Sequence, residues 1–294
     1  MPLSDIDNCL FCGRALTDET RTREDVFPKW LQREYDLSEL TLTLLNGSEI
    51  KYGRLTVPAC GACNNVHASQ LENRVKQGAA SDQEVWMWLL KLQLGTMAFE
   101  TSRRWVEDRR DPLSSEPIVD ASTLDLGFLH GLFDTLKVDD PQYAPEPLGT
   151  IISFPRGHPD FFYSDRLYRH PASQLDNEYS ASCICFHGRC WIALYDDAGN
   201  VRRGLDLKRM TAGVEKGLDP VLFLPELMYL RSRLDYMPRT MILGPSDGPA
   251  AGVMIVPPMF HVSVLDHDEK VLQMFQEALP GGVDGENYDE ASYS

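Results

Sequence analysis

Cys9-Leu10-Phe11-Cys12-Gly13 and, with 47 residues between Cys12 and Cys60, Cys60-Gly61-Ala62-Cys63-Asn64-Asn65 are the stretches that decide how this chain folds. Each is a CxxC pair with turn-forming neighbours, and such a pair delivers two sulfurs from one tight turn. Two pairs together supply the four ligands that a tetrahedral zinc ion takes, at zinc–sulfur distances of ~2.3 Å. The chain has seven cysteines, and an odd number with four in CxxC pairs points to metal ligation by Cys9, Cys12, Cys60 and Cys63 before disulfides. The alternative is a set of buried or redox-active thiols that happen to be paired. A four-thiolate site leaves no open position for water, so its zinc would hold the fold and would not do chemistry.

Outward from the pairs, residues 1–66 read as loop-rich with few long apolar runs. A bound metal is expected to supply folding free energy that such a stretch lacks. From Ala68 the pattern turns helical, with Leu71, Val75 and Ala79 on one face. Ser81-Asp82-Gln83-Glu84 reads as a capping box that opens a second helix, running through Trp86, Leu89, Leu90, Met97 and Phe99 to about residue 110, where Asp111-Pro112 ends it. A third helix is expected at 123–137, and Asp139-Asp140-Pro141-Gln142-Tyr143-Ala144-Pro145-Glu146-Pro147 reads as a linker.

Beyond the linker, 148–154, 179–186, 190–195 and 252–256 are β-like, with turns at His187-Gly188-Arg189 and Asp197-Ala198-Gly199-Asn200. Helices are expected at 220–234 and 269–279. Hairpin-length connections favour an antiparallel sheet. The predicted fold class is thus α+β: a zinc-stapled module over 1–80, a helical connector over 81–140, an α+β domain over 141–279, and an acidic, Gly-rich tail over 280–294 expected to be disordered.

Charge narrows the choice of partner. The formal net charge is -16, which argues against a surface that grips phosphate everywhere. Residues 1–80 hold nine Lys/Arg against eleven Asp/Glu, leaving about -14 to the remainder. Contact with DNA would therefore belong to the N-terminal module, and the acidic remainder would engage a protein, a ligand or a second copy of the chain. With no run of ~18 apolar residues and no signal-like start, a membrane partner is not expected and a cytoplasmic location is the default. Gly-rich phosphate loops, GxSxG elbows and HExxH helices are absent.

The order CxxCG, then Glu24-Asp25-Val26-Phe27-Pro28-Lys29-Trp30-Leu31, then Cys60-Gly61-Ala62-Cys63-Asn64-Asn65 and Gln70-Leu71-Glu72, resembles HNH-endonuclease-like zinc-knuckle proteins of bacteria and phages. The likeness covers residues 9–76. It implies a ββα module, in which a β-hairpin and a helix bracket one divalent cation, Mg²⁺ or Mn²⁺, for metal-dependent DNA hydrolysis, in a setting of phage defence or mobile elements. By the same resemblance Glu24 stands at the acidic supporting position, Asp25 at the general base and Asn64 at a metal ligand. His67 lies one helical turn further on, able to face the same cleft.

Asp25 departs from the pattern, since the family's base is His. An imidazole with a pKa near ~6.5 can take a proton from water at neutral pH, whereas an ordinary Asp near ~3.9 is a poor base. Asp25 then serves as an extra metal ligand or marks a module without activity. The family's middle Asn is also missing, because Arg54-Leu55-Thr56-Val57-Pro58 stands there. Two function classes follow: a metal-dependent endonuclease or nuclease-derived module, and a catalytically inactive zinc-knuckle protein that regulates or inhibits a partner. A small-molecule sensor with a pocket in 148–279 is a third.

Simpler readings stand beside each candidate. Glu24 and Asp25 can be solvated acids, Asn64 a helix N-cap, and His67 a surface residue. Phe27, Trp30 and Leu31 read as core before base-stacking aromatics, and the helix with Trp86, Trp88 and Trp105 as core or interface. Cys183-Ile184-Cys185-Phe186-His187-Gly188-Arg189-Cys190 alternates around a turn, so Cys183 and Cys185 share one sheet face, and buried free thiols are the expectation there, ahead of a second metal cluster.

Overall fold

The computed structural model describes residues 8–44, 47–100, 130, 132–133, 136, 149–169, 178–195, 197, 199–232, 239–243 and 252–256. The expected helix at 123–137 (four residues apart), the linker, the helix at 269–279 and the acidic tail lie outside these.

The N-terminal part is built on an antiparallel pair, β1 (Arg21–Asp25) with β4 (Thr56–Cys60), in register Arg21 to Cys60 and Asp25 to Thr56. Between them the chain forms a short helix α1 (Lys29–Glu34) and a small hairpin of β2 (Thr41–Thr43) and β3 (Glu49–Lys51). After β4 one wide turn of π type, Cys63–Ala68, leads straight into α2 (Ser69–Lys76). Two strands and a following helix thus form a ββα arrangement. The stretch is richer in structure than its polarity suggests, because Phe27, Leu31, Leu37, Leu55 and Leu71 are fully buried, as one cluster with residues far along the chain.

The helix α3 (Asp82–Glu100) starts at the expected capping box: Ser81 N–H donates to Glu84 Oε2 at 2.8 Å, and Glu84 N–H to Ser81 Oγ at 3.3 Å. Its sequence is apolar on every side, which suits a helix enclosed all round. Trp86, Met87, Trp88, Leu89 and Leu92 are fully buried.

The second half carries an antiparallel sheet in the order β5-β8-β7-β6, with β5 (Ile151–Pro155), β6 (Phe162–Arg169), β7 (Glu178–Phe186) and β8 (Arg189–Leu194). A tight turn of type I′ joins β7 to β8, with His187 at φ 50° and Gly188 at φ 66°. The sheet is covered on both faces. Ile151, Ile184, Phe186, Ala193 and Tyr195 pack with α3 and the N-terminal module. Ile152, Phe154, Ala181, Cys183, Cys185, Cys190, Ile192 and Leu194 face the other way, onto Met210 of α5 (Leu207–Glu215) and Leu224 and Leu227 of α6 (Leu224–Ser232). Alternate residues entering opposite cores explain why β7 and β8 read as unbroken apolar runs. The short helix α4 (Asn200–Gly204) precedes α5, and β9 (Arg239–Leu243) pairs with β10 (Gly252–Val256).

The class is α+β with antiparallel sheets, as expected. Strands β6 and β9 and helix α5 were not anticipated, and the expected turn at 197–200 is continued by α4. Asp197, fully buried, organises that turn by accepting from Thr150 N–H (2.7 Å), Thr150 Oγ1 (2.5 Å) and Val201 N–H (2.9 Å). No helix among the described residues is long and apolar enough to cross a membrane.

Candidate metal centre

The first cysteine pair sits on a turn closed by Cys9 N–H to Arg14 O (2.7 Å) and Gly13 N–H to Cys9 O (2.9 Å). Gly13 adopts φ 67°, a conformation that side chains with a Cβ resist. Leu10 N–H donates to Pro58 O at 3.0 Å, which docks this turn against β4. Cys60 ends β4, and Cys63 opens the wide turn that follows. The four sulfurs therefore converge, all within 4.8 Å of one another.

Their spacing can be tested against a metal. Four sulfurs ~2.3 Å from one ion lie about 3.8 Å apart in a regular tetrahedron. Cys12 Sγ and Cys60 Sγ are 3.8 Å apart. Cys9, Cys60 and Cys63 are buried and Cys12 half-buried, so an ion here would be shielded from water. Hydrogen bonding, first from Cys63, holds the Cys9 thiol down at about 4. Cys63 is pushed up, chiefly through its bond to Cys9, and burial raises Cys12. The cluster thus already favours one thiolate, and a cation would take the place of the shared protons. These four residues can hold a metal ion.

Glu24, the acidic member of the pair that the resemblance singled out, meets an ammonium group, while Asp25, the next residue along β1, faces the other way. Lys91 of α3 is fully buried, and its Nζ lies 2.5 Å from Glu24 Oε1 of β1 and 2.6 Å from Glu72 Oε1 of α2. Phe11, from the first cysteine turn, has its ring centroid 6.0 Å from the same nitrogen. Burial alone would push Lys91 down, yet the carboxylates of Glu72 and Glu24 outweigh it and raise the ammonium's pKa. At Glu24 the balance reverses: burial raises its pKa against the pull of Lys91.

The remaining candidates have separate partners. Asp25 pairs with Lys29, one turn on, at 2.8 Å. Asn64 Nδ2 donates to Thr22 Oγ1 and to Arg23 O, both at 3.1 Å, and so ties the wide turn to β1. It does not cap the helix, whose entry is at Ala62. His67 is half-buried on the same turn. Among the described residues, two cysteine clusters are the groups of three or more Cys, His, Asp or Glu ligand atoms that gather within 4.8 Å. Glu24, Asp25 and His67 do not form such a group.

Against family models, curated proteins and solved structures, the chain has no match.

Lys91 is the residue that sequence reasoning missed. Its signal was present, since it is the one charge in Val85-Trp86-Met87-Trp88-Leu89-Leu90-Lys91-Leu92-Gln93-Leu94. A lone lysine inside an enclosed helix requires a buried acid as partner. Which acid it would be was not written locally, because Glu24 lies 67 residues away. Phe27 and Leu31 are core, as expected, and Trp30 stacks on Trp88 with ring centroids 6.3 Å apart.

Proposed function

We propose that this chain is a zinc-stapled, HNH-like module that binds and does not cut, joined to an acidic α+β part that engages a protein partner as a regulator or inhibitor. Zinc at Cys9, Cys12, Cys60 and Cys63 is structural on this reading, fastening the first turn to the junction of β4 and the helix. The observation that carries it is Lys91. Its ammonium joins the strand carboxylate of Glu24 to the helix carboxylate of Glu72, so these groups serve as an internal ion pair and are not offered to Mg²⁺ or Mn²⁺.

The other candidate positions agree. Asp25 is held by Lys29, one turn on, at 2.8 Å. Asn64 spends its amide on Thr22 and Arg23. A net charge of -16 further disfavours a duplex as the main partner.

A plasmid-nicking assay on the purified zinc-loaded chain, with Mg²⁺, Mn²⁺ or Ca²⁺, tests the reading. The expected result is no cleavage above background with any metal. Cleavage by the wild-type chain that disappears in Asp25→Ala would overturn it in favour of an endonuclease.

A further inference from the structure

Three thiols play no part in the metal centre. Cys183 and Cys185 lie on β7 and Cys190 on β8, all on the sheet face that packs on α5 and α6, and all at most 1% exposed. Their sulfurs lie within 4.8 Å of one another. The Cys190 sulfur is 2.7 Å from that of Cys185 and 3.4 Å from that of Cys183. The shorter distance is well inside the roughly 3.5–4.0 Å at which unbonded carbon-sized atoms rest, and sulfur is larger than carbon.

The backbone explains the approach. Phe186 and Arg189 flank the two-residue turn, and Cys185 is directly opposite Cys190 as the next pair. Alternation along an antiparallel ladder makes this a non-hydrogen-bonded pair, with Cα atoms about 4.5 Å apart and side chains at their closest. That separation is within the ~4.4–6.8 Å that a disulfide spans. A metal is served less well, because three thiols with no fourth donor would have to move apart to surround an ion.

We propose that Cys185 and Cys190 form a disulfide when the chain meets a peroxide-class oxidant, with Cys183 as a third thiol placed to exchange with it. In the first step the Cys185 thiolate attacks one oxygen of hydrogen peroxide and becomes a sulfenic acid, the O–O bond breaks, and the departing hydroxide takes a proton to leave as water. In the second, the Cys190 sulfur attacks the Cys185 sulfur and its hydroxyl leaves with the Cys190 proton as a second water. Two thiols lose two electrons, and one peroxide becomes two waters.

The surroundings suit this order of events. Hydrogen bonding within the cluster, first with Cys183, and the Arg156 guanidinium hold Cys185 down at about 5 against burial. Burial raises Cys183 well above its ordinary value. Arg156 is itself anchored on Asp219 at 2.9 Å. Burial excludes large disulfides as oxidants, whereas hydrogen peroxide is near the size of water.

Oxidation would also pin the β7–β8 tip that docks on the N-terminal module. His187 N–H donates to Tyr35 Oη at 2.7 Å, and His187 Nε2 is 2.6 Å from Glu34 Oε1.

The test uses the full zinc-loaded chain, treated with graded hydrogen peroxide, denatured in excess alkylating agent and digested with trypsin. Cleavage after Arg189 puts Cys185 and Cys190 on different peptides, so their disulfide appears as a cross-linked pair that a reductant splits. The expected result is that cross-link at peroxide levels that leave bound zinc unchanged, absent in Cys190→Ala and retained in Cys183→Ala. Circular dichroism checks that each variant is folded. Full alkylation of all three cysteines after zinc-site thiols have oxidised would overturn the proposal. So would a second equivalent of bound metal that Cys190→Ala loses.

Discussion

Replacing Lys91 by Met probes the proposed role of the ion pair most sharply. The substitution keeps the length of the side chain and removes its charge, leaving Glu24 and Glu72 without the ammonium that joins them. Their side chains are only 7% and 16% exposed, so water cannot replace it. Removing one partner of a buried ion pair costs about 3–5 kcal/mol, roughly a fifth or more of the stability of an ordinary domain. Both Oε1 atoms touch one nitrogen, so they lie about 5 Å apart at most, and the charge of Glu72 raises the pKa of Glu24. Urea denaturation of the zinc-loaded chain should show that loss near neutral pH. Part of it should return as the pH falls and one carboxyl takes up a proton. The triple variant Glu24→Met, Glu72→Met, Lys91→Met should recover most of the loss, since an apolar replacement of a whole buried charge group is often neutral or better. A cost under about 1 kcal/mol for Lys91→Met, or a triple variant no more stable than the single one, would contradict a buried ion pair that holds β1 to α2.

Other expectations follow from the same geometry. Glu24 has a raised pKa in the folded chain, so the native state holds its proton more tightly than the unfolded one. The stability of wild type relative to Glu24→Gln should therefore fall as pH rises from the ordinary carboxylate range through the folded pKa, and level off above it, in urea titrations across pH. Gly95→Ala should destabilise despite alanine's better helix propensity, by about 1–3 kcal/mol, because its Cβ would come within 2.9 Å of both Val26 methyl carbons. Adding Val26→Ala should remove the clash, as read from the same urea midpoints. Asp197→Ala should cost about 3 kcal/mol, since it leaves the Thr150 and Val201 N–H groups buried without an acceptor. A midpoint within error of wild type would contradict the assigned role.

What the sequence disclosed was mostly local. Both CxxC turns, the Ser81–Glu84 capping box and the β7–β8 hairpin are written in adjacent residues, and all of them are present in the structure. Strand β6 escaped notice because Ser164, Asp165 and Arg166 break its apolar alternation, and its membership rests on pairing with β7. The N-terminal part read as short of core because its apolar residues are scattered. They become a core only when Trp86 and Trp88 of α3 and Phe186 of β7 pack against them. The candidate site shows the same limit. Glu24, Asp25 and Asn64 were found by position, but their partners Lys91, Lys29 and Thr22, which lie elsewhere in the fold or were read only as neighbours, were not.

Metal content of the purified chain tests the account at its root. Elemental analysis should return one zinc per chain for wild type, and next to none for Cys60→Ser or Cys12→Ser. A wild-type chain that folds with no bound metal, or variants that keep their zinc, would contradict the four-sulfur centre.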